Sequence, residues 1–137
     1  MSANIEPYAG KDLGENTFTC TAKMVDDYCV GLAVDPSRYE DTSTWGEPAA
    51  PAMIVGDVDG GFNGARFSNA FGNLWMRQEW EFNQPIFCDR EYRRTSRVMD
   101  VYEWRNRTVV KQLIELFDDS GEPVVRGTHH QSYLLSQ

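Results

Sequence analysis

The chain has 137 residues, of which 41% are hydrophobic and 25% charged, and its formal net charge is -8 at pH 7. This length and composition fit one soluble globular domain with its own core. The acidic balance argues against nucleic acid as a partner, because contacts with phosphates need a basic surface. No apolar run approaches the roughly 18 residues of a spanning helix, so a membrane partner is not expected either.

Three cysteines, Cys20, Cys29 and Cys88, are an odd number and lack the spacing of a metal site. The first 14 residues contain no basic start followed by an apolar block, so we expect no secretory signal. We therefore expect a cytoplasmic protein with reduced thiols, and the sequence indicates no metal and no cofactor.

The first part of the chain predicts a strand and an amphipathic helix after a polar arm. Residues 1–16 are predicted to form an N-terminal arm, with residues 17–137 as a single domain. Thr17–Ala22 is rich in Thr and Phe and predicts a short strand. One helical face is defined by apolar residues at i, i+3, i+4, i+7 and i+8, namely Val25, Tyr28, Cys29, Leu32 and Ala33. Asp35 ends this helix, because a residue before proline is pushed out of the helical region.

The segment from Asp35 to Met53 has no clean period and concentrates acids, hydroxyls and prolines. Irregular polar connections often carry binding and catalytic groups. An ordinary surface loop is the alternative, and composition alone favours it. Asp35 lies at or just past a helix C-terminus, where the helix dipole disfavours a negative charge. We therefore expect a raised pKa for Asp35, which is useful in a general acid or base.

A second helix and four strands are predicted after this segment. Pro51 fits the first turn of a helix from Ala50 to about Val58. From Leu74 the period becomes two, which indicates a strand with one buried face carrying Met76, Trp80 and Phe82. Three further strands are predicted at Glu91–Trp104, Thr108–Phe117 and Val124–Leu135, with turns at Asn106-Arg107 and Asp118–Gly121. Imperfect alternation in the first of these three indicates a bulge. The order predicts an α+β protein with helices packed against one curved antiparallel sheet.

Three blocks of sequence resemble the MaoC-like hot-dog family, specifically its N-terminal dehydratase type. They are Asp35–Tyr39, then Trp45–Met53, and then Trp80–Ile86 together with Thr95–Val98 and Asp119–Val124. The resemblance implies an antiparallel sheet wrapped around a central helix, in a homodimer or in a heterodimer with another hot-dog protein. Active members of the family hydrate or dehydrate acyl thioesters of coenzyme A or of a carrier protein.

The resemblance also implies roles for particular residues. In the family an aspartate and a nearby histidine handle water and the C2 proton, and a backbone N–H at the central helix receives the oxyanion. Asp35 takes the place of the aspartate and Ser37 that of an orienting asparagine. The loop is one residue short, and Tyr39 stands near the position of the histidine. A phenol is a poor base near neutrality, since its ordinary pKa is about 10, but it can donate a hydrogen bond.

Three functional hypotheses remain open at this stage. The first is a hydratase or dehydratase-like lyase, with Asp35 and Tyr39 catalytic and with Ser37, Trp45, Ala52 and Met53 binding an acyl-CoA, an acyl-carrier-protein substrate or a related small molecule. The second is a non-catalytic subunit that pairs with an active hot-dog partner. The third is a proton-transfer isomerase or cyclase acting on a natural-product intermediate.

Two further groups are weighed against these hypotheses. His129 and His130 lie on the last strand, outside the motif, and we expect structural roles for both because adjacent strand residues face opposite sides. Four arginines fall within eight residues, Arg90, Arg93, Arg94 and Arg97. They suit the phosphates of coenzyme A or an acidic carrier protein, although a solvated strand face is the favoured interpretation.

Overall fold

The computed structural model describes residues 8–55 and 70–135, and a five-stranded antiparallel sheet dominates them. The strands are β1 (Asp12–Thr19), β2 (Ala70–Phe82), β3 (Glu91–Trp104), β4 (Arg107–Phe117) and β5 (Pro123–Leu135), in the spatial order β1-β3-β4-β5-β2. One α-helix, α1 (Ala22–Leu32), and two 3₁₀ turns, Pro36–Tyr39 and Ala52–Val55, occur in the same described ranges. The predicted α+β class is confirmed. No helix of the described ranges is long and apolar enough to cross a membrane.

The last three strands lie where the sequence predicts them. β3 has the predicted bounds, and its register against β4 shifts between Val98 and Asp100, so the predicted bulge is confirmed. Arg105 and Asn106 connect β3 to β4 and both have positive φ, 51° and 63°, as a two-residue hairpin turn requires. The turn before β5 is closed by the Asp118 carboxylate, which accepts hydrogen bonds from backbone N–H groups two and four residues on.

The first strand and helix differ from their predicted bounds. β1 starts at Asp12 rather than Thr17, so residues 12–16, predicted as part of the arm, pair with β3. Thr21 caps α1, because its hydroxyl accepts a hydrogen bond from the Met24 N–H at 3.2 Å. Leu32 and Ala33 of the predicted apolar face are exposed, since the helix ends there and Ala33 takes a left-handed conformation.

The main core lies between one face of the sheet and the segments packed on it. Val25 and Cys29 of α1 and Ile54 and Val55 of the second 3₁₀ turn are buried in it. The strands and the loops contribute Phe18, Cys20, Ile86, Tyr92, Ile114, Leu116, Val124 and Val125. Both α1 and the 3₁₀ turn Ala52–Val55 are therefore packed on the sheet through this core.

Two predictions about the middle of the chain need correction. Within the described residues, the helix predicted from Ala50 to Val58 is only the 3₁₀ turn Ala52–Val55, and residues 56–58 lie outside them. On β2, Met76 and Phe82 remain 39% and 40% exposed rather than buried. Among the described strands, β2 is the last one of the sheet and pairs with β5 on one side only.

Candidate functional site

Asp35 caps the first 3₁₀ turn, and its carboxylate accepts a hydrogen bond from the Ser37 N–H at 3.0 Å. The Ser37 backbone and then its side chain lower the pKa of Asp35 by hydrogen-bonding to the carboxylate. The predicted rise in this pKa is therefore wrong. Because α1 ends at Leu32 and the chain turns at Ala33, the Asp35 side chain caps the 3₁₀ turn Pro36–Tyr39 and not the C-terminus of α1.

Ser37 and Tyr39 both lie in the 3₁₀ turn Pro36–Tyr39, which Asp35 caps. Tyr39 is half-buried and packs against the main core. Ser37 is exposed, and its carbonyl accepts a hydrogen bond from the Glu40 N–H at 3.2 Å. The turn thus brings the predicted acid, phenol and orienting hydroxyl into one short segment, in which Tyr39 is half-buried.

A largely apolar groove of about 380 Å³ opens beside the second half of the loop. Its walls are Trp45, Ala49, Ala50, Ala52, Phe82, Asn83, Gln84, Pro85 and Ile86. Two of the predicted binding residues, Trp45 and Ala52, line it, whereas Met53, Asp35, Ser37 and Tyr39 do not.

Sequence reasoning did not identify the second wall of this groove, from Phe82 to Ile86. Pro85 marks the end of a strand, and this was the available signal that a loop follows β2. Nothing in the local sequence states that this loop lies against Ala49 and Ala50. Backbone contacts show it: the Ala50 N–H donates to the Ile86 carbonyl at 2.7 Å, and the Cys88 N–H donates to the Pro48 carbonyl at 3.0 Å.

The two histidines lie on β5 and are not part of the Asp35 turn. His129 is 1% exposed, and its Nε2 hydrogen-bonds with Gln112 Oε1 at 2.8 Å. The Gln112 amide in turn donates to the Ser96 hydroxyl at 2.8 Å. His130 pairs with Lys111 across the sheet and so faces the opposite side. Burial, followed by the charge of Lys111, lowers the pKa of His130.

Three of the four clustered arginines contact groups of this chain. Arg90 pairs with Glu47, Arg93 pairs with Glu15 at 3.2 Å, and Arg94 hydrogen-bonds with Asn16. Each guanidinium also lies over an aromatic ring, those of Phe87, Phe117 and Phe18 respectively. These contacts favour a structured strand face over a phosphate-binding patch.

Within residues 8–55 and 70–135, no group of three or more His, Cys, Asp or Glu side chains is arranged to hold a metal ion.

Comparison with known proteins finds similar solved structures but no similar family model or curated sequence. An (R)-hydratase from A. caviae involved in PHA biosynthesis is 17% identical, with a TM-score of 0.74 over 96% of this chain and 98% of that chain. The HadBC (3R-hydroxyacyl-ACP dehydratase) complex from Mycobacterium tuberculosis is 13% identical, with a TM-score of 0.76 over 93% and 98%. A MaoC-like dehydratase from Rhodospirillum rubrum is 14% identical, with a TM-score of 0.70 over 96% and 95%. At these identities the likeness establishes a shared fold.

Proposed function

Because the chain has the hot-dog fold of MaoC-like dehydratases and (R)-hydratases, we propose that it is a hydratase or dehydratase-like lyase. Its substrate is an acyl thioester of coenzyme A or of a carrier protein, or a related unsaturated carbonyl compound. The observation that carries the proposal is the short turn in which Asp35, Ser37 and Tyr39 stand together on this fold. The resemblance in sequence assigns catalysis to the same turn.

The reaction needs a proton acceptor and a proton donor on one face of the substrate. During hydration a base takes a proton from water, the oxygen adds to C3, and C2 is then protonated. Asp35 is ionised near neutral pH, because the hydrogen bonds from Ser37 hold its pKa below the ordinary value, and it acts as the acceptor. Tyr39 is the donor or anchor, and Ser37 orients the carboxylate.

The apolar groove beside Trp45 and Ala52 is the binding place for the acyl part of the substrate. Its walls are aromatic rings, alanine methyl groups and Ile86, while Asn83 and Gln84 supply polar groups at one side. Ligand pockets typically combine predominantly apolar walls with a few polar groups in this way. Met53, which is 56% exposed next to the groove residue Ala52, is retained as a binding residue in the proposal.

The test is turnover of trans-2-enoyl and 3-hydroxyacyl thioesters by the purified protein and by Asp35→Asn. Removing the acid–base group should lower kcat/KM by about 100-fold or more. Asp41→Asn is a matched control, because Asp41 is an exposed carboxylate that accepts a hydrogen bond from the Ser43 N–H at 2.8 Å in the same way. Undiminished hydration by Asp35→Asn would contradict the assignment.

A non-catalytic subunit is the second candidate, and two observations favour it. A carboxylate with a lowered pKa is a weak base, and the loop of Asp35 contains no histidine. The edge strand β2 also leaves Phe71, Leu74 and Trp75 more than half exposed, which suits pairing with another hot-dog protein or a second copy. Co-expression with a hot-dog protein that has an Asp–His pair should then raise that partner's turnover, whereas turnover by the purified chain alone would oppose this candidate.

The isomerase or cyclase hypothesis has less support. It requires a carboxylate in an apolar cavity, whereas Asp35 is exposed and does not line the groove. The cytoplasmic location remains part of the proposal, because three cysteines without metal-type spacing suit a reducing compartment.

A further inference from the structure

Trp45 forms one wall of the apolar groove although its side chain is 56% exposed. An exposed indole keeps one orientation only if neighbouring groups hold it. The contact that the structure shows is with Phe87, whose ring lies edge-on at a centroid distance of 6.3 Å and an interplanar angle of 75°. The position of this wall therefore depends on what holds Phe87.

Arg90 also contacts Phe87. Its guanidinium lies over the Phe87 ring, 4.6 Å from the centroid, and also forms an ion pair with Glu47. Glu47 belongs to the same loop as Trp45, two residues later in the chain. Trp45, Glu47, Phe87 and Arg90 thus form a closed set of contacts, which we call the aromatic clasp.

The backbone beneath the clasp supports the same arrangement. Ala49 and Phe87 form an antiparallel bridge, flanked by the Ala50 to Ile86 and Cys88 to Pro48 hydrogen bonds. The main chain therefore places Phe87 beside the loop that carries Trp45 and Glu47.

We propose that Arg90 is a positioning residue for the groove: by holding Phe87 and Glu47 it fixes the indole of Trp45 and so sets the affinity for an apolar chain. The inference rests on the proposed function in one respect, namely that the occupant is the acyl part of a thioester. Arg90 does not line the groove and acts only through the other members of the clasp.

Arg93 provides a matched control within the same strand region. It lies over Phe117 at 4.5 Å and pairs with Glu15 at 3.2 Å. Its side chain is 50% exposed, against 51% for Arg90. None of these three control residues lines the groove. Arg93→Gln therefore removes one arginine–aromatic contact and one ion pair without touching the clasp.

The experiment measures binding of the fluorescent fatty acid 11-(dansylamino)undecanoic acid to the full chain. We expect Arg90→Gln to weaken binding about three- to tenfold, the size of effect that a half-exposed arginine contact supports. Arg93→Gln should stay within about twofold of the wild type. Ala52→Trp, which fills the groove, should abolish binding while the melting temperature shows that the chain still folds.

A double-mutant cycle separates positioning from general loosening of the fold. In a Trp45→Ala background, Arg90→Gln should cause little further loss, because its effect passes through the indole. A purely structural role would give additive losses instead. Additive losses, equal effects of the two arginine variants, or no binding of the probe by the wild-type chain would each overturn the inference.

The same measurements distinguish this inference from the proposed lyase activity. Probe binding with the expected variant pattern, but no turnover of any thioester, would refute the lyase and leave the role of Arg90 standing. Turnover that depends on Asp35 but is unaffected by Arg90→Gln or Ala52→Trp would do the reverse.

Discussion

At Asp35 the local backbone determines the affinity of the carboxylate for a proton. Its pKa lies below the ordinary 3.8, first because of the Ser37 N–H and second because of the Ser37 hydroxyl. We expect an NMR titration to place Asp35 below that value, and Ser37→Ala to raise its pKa only part of the way, because the N–H remains. The pKa of Asp41, whose carboxylate accepts hydrogen bonds from Ser43, should be the same in Ser37→Ala as in the wild type. A wild-type Asp35 that titrates at or above its ordinary value would contradict this account.

His130 is a residue whose burial has a consequence for stability against pH. Its Nδ1 is buried without a hydrogen-bond partner among the described residues, and burial lowers its pKa below 6.5. Lys111, Arg77 and His129 lower the pKa further, and Glu79 opposes them. The unfolded chain therefore binds the proton more tightly, so folding stability falls as pH drops through the unfolded value toward the lower folded one.

The prediction is that the melting temperature decreases between about pH 7.5 and about pH 5.5, and that it decreases less in His130→Gln. Glutamine does not titrate, so the variant lacks this contribution to the slope. Thermal unfolding at the two pH values, followed by circular dichroism, checks it. Equal slopes in both proteins would exclude His130 as the source.

At the scale of elements, the pairing of β2 with β5 depends on a glycine. A Cβ built on Gly127 would lie 2.1 Å from Cζ3 of the Trp80 ring, its cross-strand neighbour. Trp80 packs against the main core, so the ring is not free to swing away. We expect Gly127→Ala to lower the free energy of unfolding by about 1–3 kcal/mol, as overpacking does.

A second glycine supplies a control of opposite sign. A Cβ on Gly31 of α1 would meet no atom within 4 Å, so Gly31→Ala should raise the free energy of unfolding by about 0.5–1 kcal/mol. Urea denaturation of Gly127→Ala and Gly31→Ala measures the change in the free energy of unfolding of each variant. In the Gly127→Ala variant, a further Trp80→Leu change should recover part of the lost free energy of unfolding. If Gly127→Ala does not destabilise the protein and Trp80→Leu recovers nothing, the Trp80 ring accommodates the added methyl group.

At the scale of the whole molecule, β2 is the outer strand of the sheet in the part of the chain that the structure describes, and we predict that its edge contacts a partner. Half of this edge is protected by the charges of Arg77, Glu79 and Glu81, whereas Leu74 and Trp75 in the other half are each 56% exposed. Charged residues on an edge strand discourage pairing with another sheet. We therefore expect Leu74→Glu to convert a dimer of the purified chain into a monomer.

Light scattering coupled to size-exclusion chromatography measures this change. Val30→Glu is the control, because Val30 is 82% exposed on α1, away from the sheet edge. A wild-type monomer, or a dimer that survives Leu74→Glu, would remove β2 as the homodimer contact. A monomer that pairs only with another hot-dog protein would support the subunit candidate.

The sequence predicted the regular elements well and the middle of the chain poorly. β3 was correctly placed because a proline-containing loop precedes the strand and a hairpin turn follows it, and its bulge was signalled by the imperfect alternation. The helix from Ala50 was predicted from Pro51 and a short apolar run, and in the described residues it is a 3₁₀ turn of four residues. For Asp35, the prediction considered the helix before it and not the turn after it, so the direction of its pKa was wrong.

What the sequence determines by itself is whatever depends on neighbours along the chain. The strand period and the turn residues are local, so they predicted the α+β class, and the irregular polar composition drew attention to the loop with Asp35, Ser37 and Tyr39. The tertiary structure alone decided which distant segments meet. It joined Trp45 and Ala52 to Phe82 and Ile86 in one groove, and it placed Arg90 over Phe87. Such contacts depend on how the loops fold against the sheet, which no local pattern of residues specifies.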